Sequence, residues 1–280
     1  MPLPEGVQVG EAIRAAANSL ASTSDTARLD AELLMAHALG QTRSHMLVHA
    51  MRDPVPDKYA ALVARRAQRE PVAYIMGETE FFGRRFAVEP GVLIPRGDSE
   101  TLVVAALELA PRAERVLDLG TGSGALLVTL LLECEKAHGI GIDASPIARR
   151  VAEANAQALG LIGAQARFLE RDWTRPGWRE ALGRFDLVVC NPPYVEEGAA
   201  LEPDVRDYEP GSALFAGPDG LDDYAILFPK LRDLLAEGGV ALFEIGSAQG
   251  DQVTKLAEES GFLAEIRTDL AQRPRVVVLR

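Results

Sequence analysis

From about residue 98 to the end, short apolar runs alternate with stretches of helical period, and that alternation constrains the chain more than any other feature. The runs lie at 115–118, 139–143, 166–169, 185–190 and 240–245, and helical patterns separate most of them. Strands spaced by helices require βαβ crossovers, hence a mostly parallel sheet with helices on both faces. Two further runs, 262–266 and 275–279, fit two more strands, which makes a seven-stranded α/β sheet.

The first third reads differently. Val9–Leu20 is alanine-rich with apolar residues at helical spacing. Ser24 and Asp25 are N-cap candidates for a second helix, and Gly40 is suited to follow its last turn at Leu39. In that helix Leu29, Leu33, Leu34 and His37 are expected on one face. A third helical stretch, 57–69, follows Pro54 and Pro56. Residues 80–83 and 85–88 then suggest two short strands turning at Gly83-Arg84. At roughly 100–200 residues per domain, 280 residues make one large or two modest domains. The boundaries read as a small helical domain at 1–70, a β-hairpin linker at 71–97 and an α/β domain at 98–280.

Composition removes several classes of function. Apolar residues make up 48% of the chain and charged residues 25%, enough apolar surface to offset the ordering entropy of folding. The net charge is −12, nearly all of it carried after residue 90, which argues against a nucleic-acid binder that relies on a basic face. Two cysteines, Cys134 and Cys190, are too few for a disulfide framework or a cysteine-based zinc site. Residues 1–6 lack the charged and apolar regions of a signal peptide, and the longest uncharged apolar stretch, 119–132, is too short to span a bilayer. A monomeric cytoplasmic protein with no membrane contact is the expectation.

Three motifs carry chemistry. The run 116–124 is an apolar strand holding Asp118, then Gly120, Thr121, Gly122, Ser123 and Gly124, then the helix Ala125–Glu133. Glycines let backbone approach a ligand, and a helix N-terminus offers unpaired N–H groups to a polar or anionic one. The spacing is neither a dinucleotide fingerprint nor a P-loop. Asp143 ends the next strand, where a carboxylate accepts from a ribose diol. Ser145 can cap the following helix, with Pro146 at its first position. The third motif, Asn191-Pro192-Pro193-Tyr194, follows an apolar strand. Its prolines stiffen an extended wall that presents the Asn191 amide oxygen and the Pro192 carbonyl as two fixed acceptors beside an aromatic ring, a pattern suited to a planar NH2 group. His45 and His49 stand four apart without a third ligand, so no metal site is expected.

These motifs resemble the Rossmann-like class I S-adenosylmethionine-dependent methyltransferases. Over nearly its full length the chain resembles the HemK family, also called PrmC, the N5-glutamine methyltransferases of peptide chain release factors. The likeness extends to Pro71-Val-Ala-Tyr74 with Gly77 and Phe81, and to Leu93-Ile-Pro-Arg96 with Asp98 and Glu100. It continues through Arg171-Asp-Trp173, Asp204-Val with Tyr208-Glu-Pro210, and Glu244-Ile-Gly246 with Gln249. Gly97, where the family usually has proline, and Gln272, where it often has glycine, are departures.

The resemblance implies a role for each motif. Asp118 and the turn from Gly120 to Gly124 would hold the methionine end of S-adenosylmethionine, and Asp143 its ribose. Asp172 and Trp173 would lie at the adenine. Asn191, Pro192, Pro193 and Tyr194 would bind the target glutamine, with Tyr194 stacked on the amide plane and Asn191 also close to the cofactor. The product would be S-adenosylhomocysteine, no metal would take part, and the partner would be a release factor. Two relatives in chemistry stand beside this reading. One is a glutamine methyltransferase of a ribosomal protein. The other is an adenine-N6 methyltransferase of DNA, which the charge disfavours.

Overall fold

The computed structural model describes residues 6–161 and 163–280; residues 1–5, part of the segment read for a leader, lie outside the described residues. The chain divides into two compact units. One comprises the chain up to Glu78 together with Leu201–Tyr208; the other runs from Thr79 to Ala200 and from Glu209 to the end.

The first unit is built of α1 (Val9–Leu20), α2 (Ala27–Leu39), α3 (Arg43–His49), α4 (Tyr59–Ala67) and α5 (Val72–Met76). Helix α2 is its centre and meets all four others. For that reason it is buried well beyond a single face. Ala31, Leu34, Met35 and Ala38 are buried, whereas Leu29, expected on the buried face, is 42% exposed. Neither Ser24 nor Asp25 caps α2. Thr26 stands at its N-cap without a side-chain bond to the helix amides, and the Ser24 and Thr26 hydroxyls both donate to the carboxylate of Asp30, at 2.7 and 2.8 Å. That carboxylate is buried and paired with Arg66, whose Nε donates to Oδ2 at 2.6 Å. Gly40 closes α2 in the left-handed region at φ 67, as expected.

The second unit opens with the hairpin β1 (Glu78–Phe81) and β2 (Arg84–Ala87). Its turn is Phe82-Gly83, both at positive φ, one residue earlier than the sequence suggested. Two-residue hairpins favour turns with positive φ at both central positions, and the Phe82 N–H is taken by the Glu100 carboxylate at 2.8 Å. The stretch 71–97 therefore contributes to both units. Ile75 of α5 belongs to the helical core, while Phe81 and Phe86 join the α/β core.

There follow α6 (Glu100–Leu109), β3 (Arg115–Leu119), α7 (Ala125–Glu133), β4 (His138–Asp143), α8 (Pro146–Ala158), β5 (Ala166–Glu170) and β6 (Phe185–Cys190). After α9 (Pro203–Tyr208), which folds with the first unit, come α10 (Asp222–Leu234), β7 (Leu235–Glu244), α11 (Gly250–Glu259), β8 (Ala264–Thr268) and β9 (Pro274–Leu279). Among the described residues the sheet has seven strands in the order β5-β4-β3-β6-β7-β9-β8, all parallel except β9, which pairs antiparallel with both β7 and β8. Both faces are covered, one by a core around Leu127, Val128, Leu187 and Val276, the other around Leu227, Phe228, Phe243 and Val277. The strand order reverses between β3 and β6, and ligands bind outside the carboxyl ends of strands at such a reversal. The glycine turn after β3 and Asn191 after β6 flank that point.

Candidate active site

A cleft opens at the carboxyl ends of β3, β4 and β6, with about 1060 Å³ of empty space counted out to its mouth. Gly120, Thr121, Gly122 and Ser123 form its floor, Asp143 and Trp173 one side, and Asn191 and Pro193 another. Ile94 and Arg96, in the loop that carries the lining residues Leu93 and Pro95, are tied to the buried Glu209 carboxylate. The adjoining Pro210, Ser212 and Ala213 complete the rim.

The glycine turn is locked in place before any ligand arrives. The Gly120 and Thr121 amides both donate to the Ile142 carbonyl at 2.9 Å, Gly122 to Asp143 Oδ2 at 2.9 Å, and Gly124 to the Thr121 carbonyl at 2.8 Å. The helix whose N-terminus was expected to offer unpaired N–H groups begins after these positions, at Ala125. Gly120, Gly122 and Gly124 all have positive φ. At Gly120 a side chain would also collide with the Trp173 ring, 3.0 Å from where its Cβ would lie.

Asp118 does not reach the cleft. It is fully buried beneath the turn, where it accepts from the Thr121 hydroxyl at 2.7 Å, and its Oδ1 has no hydrogen-bond partner among the described residues. Burial pushes this carboxyl up to about 7; the Thr121 hydroxyl opposes the shift and the nearby Asp143 charge adds to it. Gly124 is also off the cleft wall, pressed against Ala152 of α8.

Asp143 stands at the edge where the ribose was expected. Ser145 does cap α8, accepting from the Ala148 amide at 3.2 Å, with Pro146 at the first position. Yet Asp143 is not free, because Oδ1 accepts from the Ser145 amide at 2.8 Å and Oδ2 from Gly122. Each carboxylate oxygen keeps a second lone pair for a diol. Burial raises this carboxyl, against those two amides. Trp173 is held by Nε1, which donates to Asp223 at 2.6 Å. The Asp172 carboxyl is lowered chiefly by the Thr174 hydroxyl and also binds Arg175. Asp223 had no distinguishing signal in the sequence beyond its place in a pair of aspartates.

Asn191 lines the cleft, and its Nδ2 donates to Ser99 Oγ at 3.2 Å. Pro193 lines it as well, with Pro192 buried between these two wall residues. The Tyr194 ring packs on the core, and its hydroxyl donates to Glu244 Oε1 at 3.2 Å. Burial pushes that phenol above its ordinary range. The hydroxyl thus ties the wall to the end of β7. The Tyr194 carbonyl accepts from Gln249 Nε2 at 3.0 Å, whose Oε1 accepts from the Gly246 amide. The rings of His45 and His49 lie 4.7 Å apart, and among the described residues no three His, Cys, Asp or Glu side chains gather as a metal site.

The residues fit an adenosylated amino acid. The outer edge of an indole ring lies against a glycine of the cleft floor, a carboxylate with spare lone pairs ends β4, and polar Asn191 lines the same cleft. Sheet order, switch point and cleft together define a class I S-adenosylmethionine-dependent methyltransferase. Residues 11–77 match the PrmC N-terminal domain and residues 111–240 a methyltransferase domain. The chain belongs to the release factor glutamine methyltransferase family. One member, from Cereibacter sphaeroides, is 42% identical over 282 residues, 98% of this chain and 99% of its own. Another, from Geobacter sulfurreducens, is 42% identical over 245 residues, 85% and 84% of the two chains. A methyltransferase from Pyrococcus furiosus shares the fold alone, with a TM-score of 0.51, 13% identity, and 71% of this chain and 89% of that one covered. No helix among the described residues is long and apolar enough to cross a membrane.

Proposed function

We propose that this chain methylates the side-chain amide nitrogen of the glutamine in the Gly-Gly-Gln loop of a peptide chain release factor, as a cytoplasmic monomer and without a metal. The observation that carries the reading is the Asn191 amide, whose NH2 is engaged by Ser99, so that its oxygen remains as an acceptor at the switch point. Asp143 and Trp173 would hold the ribose and adenine of S-adenosylmethionine, with Asp118 supporting the turn through Thr121. When bound, that group supplies a methyl already activated on a sulfonium.

The protein's part is alignment. An amide nitrogen is a poor nucleophile because its lone pair is delocalised into the carbonyl. Asn191 Oδ1 and the Pro192 carbonyl would each accept one N–H of the glutamine, which fixes the plane of the amide and increases electron density on nitrogen. Pro193 would limit its sideways movement. The N-methyl amide, once formed, is acidic enough to lose its extra proton to water or to one of these acceptors, so no strong base is required. The helical unit matched to the PrmC N-terminal domain would grip the body of the release factor.

Mass spectrometry of a purified release factor, incubated with this protein and S-adenosylmethionine, tests the reading. One methyl on the Gly-Gly-Gln glutamine is expected, with loss of about 10²-fold or more in rate for Asn191→Ala. A wild-type protein that leaves this glutamine unmodified, or an Asn191→Ala variant as active as wild type, would refute it.

A further inference from the structure

The wall formed by residues 191–194 is anchored at both ends near one carboxylate. Glu244 ends β7 and is 1% exposed. Its Oε1 accepts from the Tyr194 hydroxyl at 3.2 Å, and its backbone carbonyl accepts from the Tyr224 hydroxyl at 2.7 Å. Its Oε2 has no hydrogen-bond partner among the described residues that meets ordinary geometry. The Ser99 hydroxyl stands beside this carboxylate and favours its charged form, against the effect of burial.

Ser99 itself is 4% exposed, lies just before α6 and lines the cleft. Its oxygen accepts from Asn191 Nδ2. A serine hydroxyl has a single proton and two lone pairs. With Ser99 Oγ accepting from Nδ2, the asparagine presents its NH2 to Ser99 and its oxygen elsewhere. The opposite amide orientation would lose the Nδ2 bond to Ser99 and turn the NH2 where the oxygen now stands.

We propose that Ser99 is a positioning residue that turns the Asn191 amide oxygen toward substrate and so selects a group that donates two N–H bonds over a carboxylate or a hydroxyl. The selectivity rests on the glutamine reading given above; the hydrogen-bond polarity does not. Ser99 precedes α6 and Glu244 ends β7, so two elements remote in sequence hold the two ends of the wall after β6, Ser99 at Asn191 and Glu244 at Tyr194. A site built to accept from NH2 rejects an analogue lacking it, because buried acceptors are then left unpaired.

The chain has three asparagines, Asn18, Asn155 and Asn191, so an asparagine-15N-labelled sample resolves the side-chain amides directly. The Asn191 pair is assigned by its disappearance in Asn191→Ala. In Ser99→Ala its NH2 protons are expected to exchange about tenfold faster, the equivalent of one net hydrogen bond, while those of buried Asn155 stay unchanged. Ser99→Thr, which keeps the hydroxyl, restores the protection. With release factor as substrate, Ser99→Ala is expected to lower kcat about 10²-fold with KM for S-adenosylmethionine nearly constant, and Ser99→Thr to recover most of it. Unchanged Asn191 exchange in Ser99→Ala overturns the proposal whatever the activity, and so does an undiminished kcat. A wild-type protein inactive on release factor refutes the glutamine reading instead, and the exchange data alone then decide the proposal.

Discussion

Gln272 sits at φ 61, in the left-handed region, inside the β8–β9 turn where the Asp269 carboxylate gathers the Ala271 and Arg273 amides. A residue with a Cβ is strained there by roughly 1–2 kcal/mol, part of which glycine returns as conformational entropy. Gln272→Gly is expected to stabilise the protein by about 0.5–1 kcal/mol, read as a higher denaturation midpoint with an unchanged slope. The departure from the family pattern at 272 thus acquires a physical meaning at the level of backbone geometry. Residues that line the cleft are legible where a motif is contiguous, as with Asn191 and Pro193. They are not legible where the decisive partner lies far along the chain. Ser99, Glu244 and Asp223 each act on a motif residue tens of positions away, and no local pattern joins such pairs. Tyr194 shows the converse: its type suggested stacking, and only the packing shows its hydroxyl turned back to Glu244.

Among the elements, the strand–turn–helix of β3 and α7 depends on its third glycine for a different reason from its second. At Gly122, φ is +56 and a Cβ would meet nothing within 4 Å; at Gly124, φ is +83 and a Cβ would lie 3.1 Å from Ala152 Cβ and 3.2 Å from its Cα. Gly122→Ala should therefore cost only the backbone strain, about 1–2 kcal/mol. Gly124→Ala adds overpacking against α8 for a total of roughly 2–5 kcal/mol, and both values can be read from urea midpoints. Equal losses at the two sites would refute this account. The helices and strands of the α/β unit were the most legible part of the fold, since period and turn residues agree along most of it. Helix α5 was not, because five residues are too few to show a period and its Pro71 reads equally well as a loop. The hairpin was displaced by one residue because Phe82 takes a positive φ that no propensity would assign to phenylalanine.

For the molecule as a whole, the buried carboxyl of Asp118 links the glycine turn to pH. Its ordinary value of 3.8 is raised to about 7, chiefly by burial. Between these values the native state keeps a proton that the unfolded chain has released, so this group's contribution to stability falls as pH rises through the window. Asp118→Asn preserves an acceptor for Thr121 and removes the titration. Its melting temperature should fall less than that of wild type between pH 4 and pH 7 by scanning calorimetry. A wild-type-like slope in the variant would show that the burden lies with other raised carboxyls, such as Asp143 and Glu244.

The helix α9 lends itself to a different kind of reasoning. It supplies Asp204 at 3.6 Å from Arg66 and the Tyr208 hydroxyl at 2.7 Å from the Gln68 carbonyl, so the first unit is finished by residues encoded more than a hundred positions after it begins. During vectorial synthesis the amino-terminal helices leave the ribosome first but wait for the stretch after residue 200 before their last contacts close. The order of emergence and the order of completion are thereby reversed for this part of the chain. A nascent chain halted before residue 200 has emerged should show its first helices more open to protease than one released past residue 208.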